Sequence, residues 1–209
     1  MRYRTGQVVL CGLLLLSIVM MPWSTIIDRV TGGLLTTDIY THKVVYSLNT
    51  IEGSWRESYS FSELIIRFSG KKVPSDNMEQ FIRAFVLNYG TNVFYLSMLP
   101  AILALTGLIL GFTKPYEKRK TRKILIGLGI LGVLTSLYYL YGVYNTLKII
   151  GYDYPVFAII TGVPLGKIGF MEGVYTLKMS YGWFLTLISS VSLIVYGNSL
   201  KVGYVYKTW

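Results

Sequence analysis

The chain has 209 residues, 53% hydrophobic and 14% charged, where an ordinary soluble domain carries about 25% charged residues. Its formal net charge is +10, and it contains one histidine and one cysteine. Those two counts exclude paired-histidine haem ligation and the common zinc sites within one chain, so no cofactor or metal is expected.

Four long windows lack Asp, Glu, Lys, Arg and His: Val8 to Ile27, Ala84 to Thr113, Ile124 to Leu147 and Met179 to Leu200. Each reaches the ~20 residues that cross ~30 Å of hydrocarbon. They predict an all-α membrane protein, a single membrane domain over residues 1–209 built as a four-transmembrane-helix bundle with a small extracytoplasmic antiparallel β-sheet. The first window is read as an uncleaved helix. Its apolar run is long for a signal peptide, and no small-x-small cleavage site follows it cleanly.

Charge distribution orients the chain. Arg2, Arg4, the cluster at 114–123, Lys201 and Lys207 make ten bases against one acid, Glu117. Residues 28–83 hold seven bases and seven acids, and residues 148–178 three bases and two acids. The positive-inside rule then puts both termini and the 114–123 loop in the cytoplasm of a multi-pass plasma-membrane protein. The outer loops are 28–83 and 148–178. Because the basic strip is juxtamembrane, anionic lipid headgroups are its expected partner, and nucleic acid is not.

In chain order, the first helix ends at Met21-Pro22-Trp23, an interfacial place for an aromatic anchor. Residues 28–42, with Gly32-Gly33, read as loop. Val44, Tyr46 and Leu48 alternate with polar or small residues, which predicts a strand over 43–50. Residues 55–61 and 63–68 read as two more strands, with a turn at 69–72, giving a sheet of about three strands. Asp76 and Glu79 have capping-box spacing, and a helix runs from Asn77 through Phe112 with Pro100 inside it. Gly107/Gly111 and Gly127/Gly129/Gly132 mark close helix approach. Tyr138, Tyr139, Tyr141 and Tyr144 close the third helix, some of them at interface depth. Residues 151–155 form a turn. Residues 156–178 are apolar but broken by glycine and proline, and are expected on the outer membrane face or against a partner.

The search for chemistry finds no Walker loop, GxGxxG or GxSxG, and no ionisable group inside a window, which argues against a pump or transporter. Glu52, Glu57 and Glu63 read as salt-bridge partners for Arg56 and Arg67, and Arg83 as the partner of a sheet carboxylate. Asn88 and Asn92 are candidates for hydrogen bonds to a neighbouring helix, and His42 reads as a solvated loop residue.

Five short motifs occur in order: Met21-Pro22-Trp23-Ser24, Glu52-Gly53-Ser54-Trp55-Arg56, Glu79-Gln80-Phe81-Ile82-Arg83-Ala84, Asp153-Tyr154-Pro155 and Tyr181-Gly182-Trp183. In this order the chain resembles the claudin and peripheral-myelin-protein superfamily over nearly its whole length. The resemblance implies a left-handed four-helix bundle capped by an outer sheet. The family's paired cysteines after its Gly-Leu-Trp motif are missing, with Ser58 and Tyr59 nearby instead.

The expected function is that of a non-enzymatic structural, adhesive or assembly subunit acting through its extracytoplasmic loops. Its expected partners are other membrane-protein chains, as a homo- or hetero-oligomer. The alternative is an accessory subunit of a multi-chain conduit or energy-transducing complex whose pore or cofactors lie elsewhere. The residues expected to carry structure and interaction are Trp23, Trp55, Arg83, Phe157, Ile160 and Trp183. Of these, Trp55 is expected buried at a sheet–helix junction, and Phe157 and Ile160 are expected against another chain.

Overall fold

The computed structural model describes residues 2–30, 33–69, 77–113, 118–165 and 175–200. The turn at 69–72 beyond Ser69, the cap residue Asp76, the 114–117 bases, Ile168, Phe170 and the C-terminal lysines lie outside the described residues.

The fold is mixed α/β, and this corrects the expectation of an all-α four-helix bundle. A six-stranded antiparallel sheet runs in the order β4-β3-β2-β1-β6-β5. Its strands are β1 (Ser24–Val30), β2 (Gly33–Ile39), β3 (Lys43–Thr50), β4 (Ser54–Ser60), β5 (Val163–Leu165) and β6 (Tyr175–Met179). Among the described residues two helical stretches are long and apolar enough to cross a membrane, Asn77–Phe112 and Lys120–Ile149.

Four local differences produce the correction. Helix α1 (Arg2–Val19) stops before Pro22, and the rest of the first apolar window becomes strand. Proline cannot donate into a helical ladder, and Thr25, Ile26 and Ile27 are β-branched, which suits a pleated surface. Residues 28–42, expected as loop, form most of a hairpin in which Ser24 faces Ile39 and Val30 faces Gly33. Residues 63–68, expected as strand, belong to helix α2 (Phe61–Phe68). The Ser60 hydroxyl accepts from the Glu63 amide while the Glu63 carboxylate accepts from the Ser60 amide, and Phe61, Leu64 and Phe68 line one buried face. Finally, residues 156–178 do not simply lie on a surface. They supply helix α6 (Val156–Thr161) and strands β5 and β6, and β6 pairs with β1.

The long second element is one continuous helical rod made of α3 (Asn77–Phe85), a π turn (Val86–Gly90) and α4 (Thr91–Thr113), with Pro100 inside α4. Its 36 residues from Asn77 to Phe112 span ~54 Å at ~1.5 Å each, well beyond the hydrocarbon thickness. The π turn is shaped by its neighbours. A Cβ on Gly90 would stand 3.2 Å from the Phe61 ring, and one on Gly142 of α5 (Lys118–Ile149) 3.2 Å from Tyr89. The Asn145 amide donates to the Tyr89 hydroxyl across the same gap.

Helix α1 packs on α4 and on α7 (Tyr181–Ser199), and α5 packs on α7 and α4. The glycines expected at close approaches lie there. A Cβ on Gly107 would meet the Cys11 sulfur at 2.9 Å, and one on Gly129 the Ser190 carbonyl at 2.5 Å. Gly127 faces no neighbour within 4 Å. Gln7 of α1 donates to the Gly107 carbonyl at 2.6 Å, so a polar side chain reinforces that contact.

The sheet turns one face to the helices. Val44, Ile39, Thr37, Ser24, Ile26, Leu177, Val163 and Leu165 share that face and are buried. The helices supply Phe81, Phe85 and Tyr139 against it, with the Phe85 and Tyr139 rings 5.3 Å apart.

Candidate functional site: an open sheet edge and the cleft beneath it

The two ends of the sheet differ. β5 is three residues long with Pro164 at its centre, a short strand that offers little for pairing. β4 is seven residues without proline, and most of its side chains are exposed.

Backbone alternation on β4 follows from two flanking bonds. The Thr50 amide donates to the Gly53 carbonyl at 2.9 Å, and the Phe61 amide donates to the His42 carbonyl at 3.1 Å. In an antiparallel pair, hydrogen-bonded and non-bonded pairs alternate. With Val44 opposite Tyr59, Tyr46 opposite Glu57 and Leu48 opposite Trp55, those β4 residues bond back to β3. Ser54, Arg56 and Ser58 therefore turn their N–H and C=O groups to an edge that no strand covers among the described residues. The Ser60 amide, next in that series, is occupied by the Glu63 carboxylate at 2.6 Å.

Beneath the edge is a cleft of about 210 Å³ between the sheet and helices α2 and α3, lined by Tyr46, Trp55, Glu57, Tyr59, Arg67 and Glu79 among others. The Tyr46 and Tyr59 rings meet edge-on at 6.0 Å, and the Arg67 guanidinium lies 5.1 Å from the Tyr59 ring centre. The Tyr59 hydroxyl donates to Glu57. That carboxylate raises the Tyr59 pKa above its ordinary value, with a smaller contribution from desolvation, so the phenol stays neutral. The cleft thus presents aromatic walls with both signs of charge, a surface suited to seating side chains of a partner. Among the described residues, no three His, Cys, Asp or Glu side chains are grouped to hold a metal ion.

The structure distributes the expected site residues over three places. Trp23 and Trp183 come together at the helix–sheet junction. Trp23 is fully buried, and its indole N–H donates to the Ser17 carbonyl at 2.9 Å. The Trp183 indole donates to the Ser136 carbonyl at 2.8 Å. Gly182 makes this possible, since a Cβ there would stand 2.5 Å from the Pro22 carbonyl. Trp55 is 48% exposed on the edge strand, which corrects its expected burial. Phe157 is 75% exposed on α6, whereas Ile160 packs partly against the core beside buried Ile159. Trp55 lies on edge strand β4, and Phe157 lies on α6, which packs on β6 toward the other end of the sheet. Arg83 lies in the last turn of α3.

Other sequence expectations divide. Asn92 donates to the Tyr138 hydroxyl of α5 at 3.2 Å, as expected of a cross-helix bond, but Asn88 donates to Ala84 of its own helix. Glu63 serves as a helix cap. The alternation reading reached β3 and β4 but not the cleft, because its other wall comes from α2, whose signal was the Ser60–Glu63 spacing.

Compared with known proteins, the chain matches no family model and no curated protein.

Proposed function

We propose that this is a non-enzymatic, multi-pass membrane protein that acts as a structural, adhesive or assembly subunit. Both termini and the 114–123 connection face the cytoplasm, and the sheet lies on the opposite side. Ten bases against one acid on the first side support that orientation. Kinship with the claudin and peripheral-myelin-protein superfamily is part of the proposal and rests on motif order alone.

The observation that carries the reading is the open β4 edge. A seven-residue strand with outward backbone groups at Ser54, Arg56 and Ser58 suits addition of a strand from another chain. The aromatic and charged cleft alongside supplies pockets for that strand's alternate side chains.

Proline scanning of β4 tests it. Ser58→Pro removes an outward N–H and leaves the β3 ladder intact, whereas Glu57→Pro breaks that ladder. In mild detergent, Ser58→Pro is expected to lose its partner chains or its self-assembly while keeping a near-native melting temperature. Full assembly of a folded Ser58→Pro variant sinks the edge as the interface. Orientation is checked with cysteines at Ser69 and Thr121, since the native thiol, Cys11, is buried. An impermeant thiol reagent on intact cells should label the first and spare the second.

A further inference from the structure

A second cleft, also of about 210 Å³, opens where the end of α1 and the β2–β3 turn meet α4. We infer that it holds one acyl chain of a membrane glycerophospholipid, with the headgroup phosphate beside His42 and Lys43. This inference rests on the membrane-spanning reading of α4.

The walls are apolar: Ile18 and Val19 from α1, and Phe94, Met98, Ala101 and Ile102 from α4. Two hydroxyls on the lining are already engaged by backbone carbonyls. Thr41 donates to the Ile18 carbonyl at 3.1 Å, and Ser97 donates to the Phe94 carbonyl at 2.8 Å. Neither offers a hydrogen to a guest, so the body of the cleft favours hydrocarbon. Its volume is below the ~300–1,000 Å³ of pockets that enclose whole small molecules, which suits a chain better than a ring system.

His42 gives the cleft a polar end, correcting its reading as a solvated loop residue. It is partly buried, and its pKa is held below the ordinary histidine value by desolvation first and by the Lys43 charge second. At neutral pH it is a neutral imidazole with one N–H to donate. Lys43 is outside the lining, with its ammonium 5.0 Å from the Tyr40 ring centre, and its charge reaches the His42 imidazole from beside the cleft. An apolar slot with a neutral donor on its lining and a cation next to that donor complements an acyl chain joined to a phosphate.

Its place in the fold agrees. The cleft is in the half of α4 nearest the sheet, and flanking residues Tyr95, Leu99 and Leu105 of the same helix are exposed apolar side chains. On the membrane reading they face lipid, and a chain from the adjacent leaflet enters without crossing a polar surface.

The test uses the full chain in phosphatidylcholine vesicles containing a trace of phosphatidylcholine with a photoreactive acyl chain. After irradiation, adducts should concentrate on the segment from Phe94 to Ile102 and saturate with probe. Ala101→Phe and Met98→Trp each fill the slot and should cut that labelling several-fold. The second variant serves if the first does not fold. A diacylglycerol carrying the same chain should label less, and Lys43→Gln should erase that difference. Labelling spread evenly along exposed helix faces, or unchanged in both filling variants, overturns the site while the membrane reading stands. So does stronger labelling by a photoreactive sterol. Extraction of the chain from vesicles by alkaline carbonate overturns the membrane reading and the lipid site with it.

Discussion

Ser24, the first residue of β1, shares a 2.6 Å hydrogen bond with the hydroxyl of Tyr139 in α5, and both residues are fully inaccessible to solvent. The bond joins the sheet to a helix that the chain reaches more than a hundred residues later. Tyr139 also packs edge-on against Trp23 at 5.1 Å, so one side chain holds the strand's start and the residue before it. Tyr139→Phe keeps the ring and strands the Ser24 hydroxyl, at an expected cost of ~1–3 kcal/mol. Adding Ser24→Ala should recover part of the loss. Thermal unfolding of the three variants in detergent measures it, and losses that simply add in the double variant would mean the bond contributes nothing.

Trp55→Ala is expected to leave stability within about 0.5 kcal/mol, the range for surface positions away from special features. A core tryptophan would cost ~3–5 kcal/mol, but this one is 48% exposed at the sheet edge. Assembly, not melting temperature, should register the change. Co-purification with partner chains and the melting curve are read on the same sample.

Acid should loosen α2 first at its cap. Backbone and side-chain hydrogen bonds from Ser60 hold the Glu63 pKa below its ordinary 4.5. The unfolded chain therefore binds the proton more readily, and the cap's contribution is complete above 4.5 and is lost as pH falls below it through the lowered folded-state pKa. The protection of α2 amides, taken relative to intrinsic exchange at the same pH, should fall below pH 4.5 in the native chain. Glu63→Gln should show faster exchange already at neutral pH and a flatter acid response.

Asp28 lies on the helix-facing side of β1 and is only 6% exposed, a place where a carboxylate must be compensated. Arg83, on the helix that crosses this face, is the base expected to couple to it. A double-mutant cycle with Asp28→Asn and Arg83→Gln should be non-additive, since breaking a buried pair costs ~3–5 kcal/mol and the second removal little more. Additive losses would assign the two residues to separate partners.

What was legible in the sequence was what periodicity encodes. Val44, Tyr46 and Leu48 alternate with solvent-side residues, and the structure gives β3 the predicted limits. The helix over Asn77–Phe85 was also readable. β1 was hidden because Trp23 to Ile27 carries no charge and no two-residue alternation, so it merged with the helix before it. Residues 63–68 are a short apolar run of the kind that period alone does not assign; the Ser60–Glu63 box decides for helix. Burial of Tyr139 rather than Tyr141 depends on which side of α5 meets the sheet, a tertiary fact that four neighbouring tyrosines do not disclose.

The order of the strands has a consequence for the timing of synthesis. β1 sits inside the sheet, between β2 and β6, and Ser24 pairs with Met179. A ribosome adding ~5–20 residues per second takes on the order of 10–30 s to travel from one to the other. Throughout that interval the hairpin is finished on one flank while β1 offers a bare edge on the other, next to α1 and Trp23. The nascent chain thus carries, for most of its production, a temporary pairing site that its own final segment must reach before a neighbouring chain does. Release of a product ending before residue 175 would make that vulnerability permanent, and such a fragment is expected to aggregate through β1.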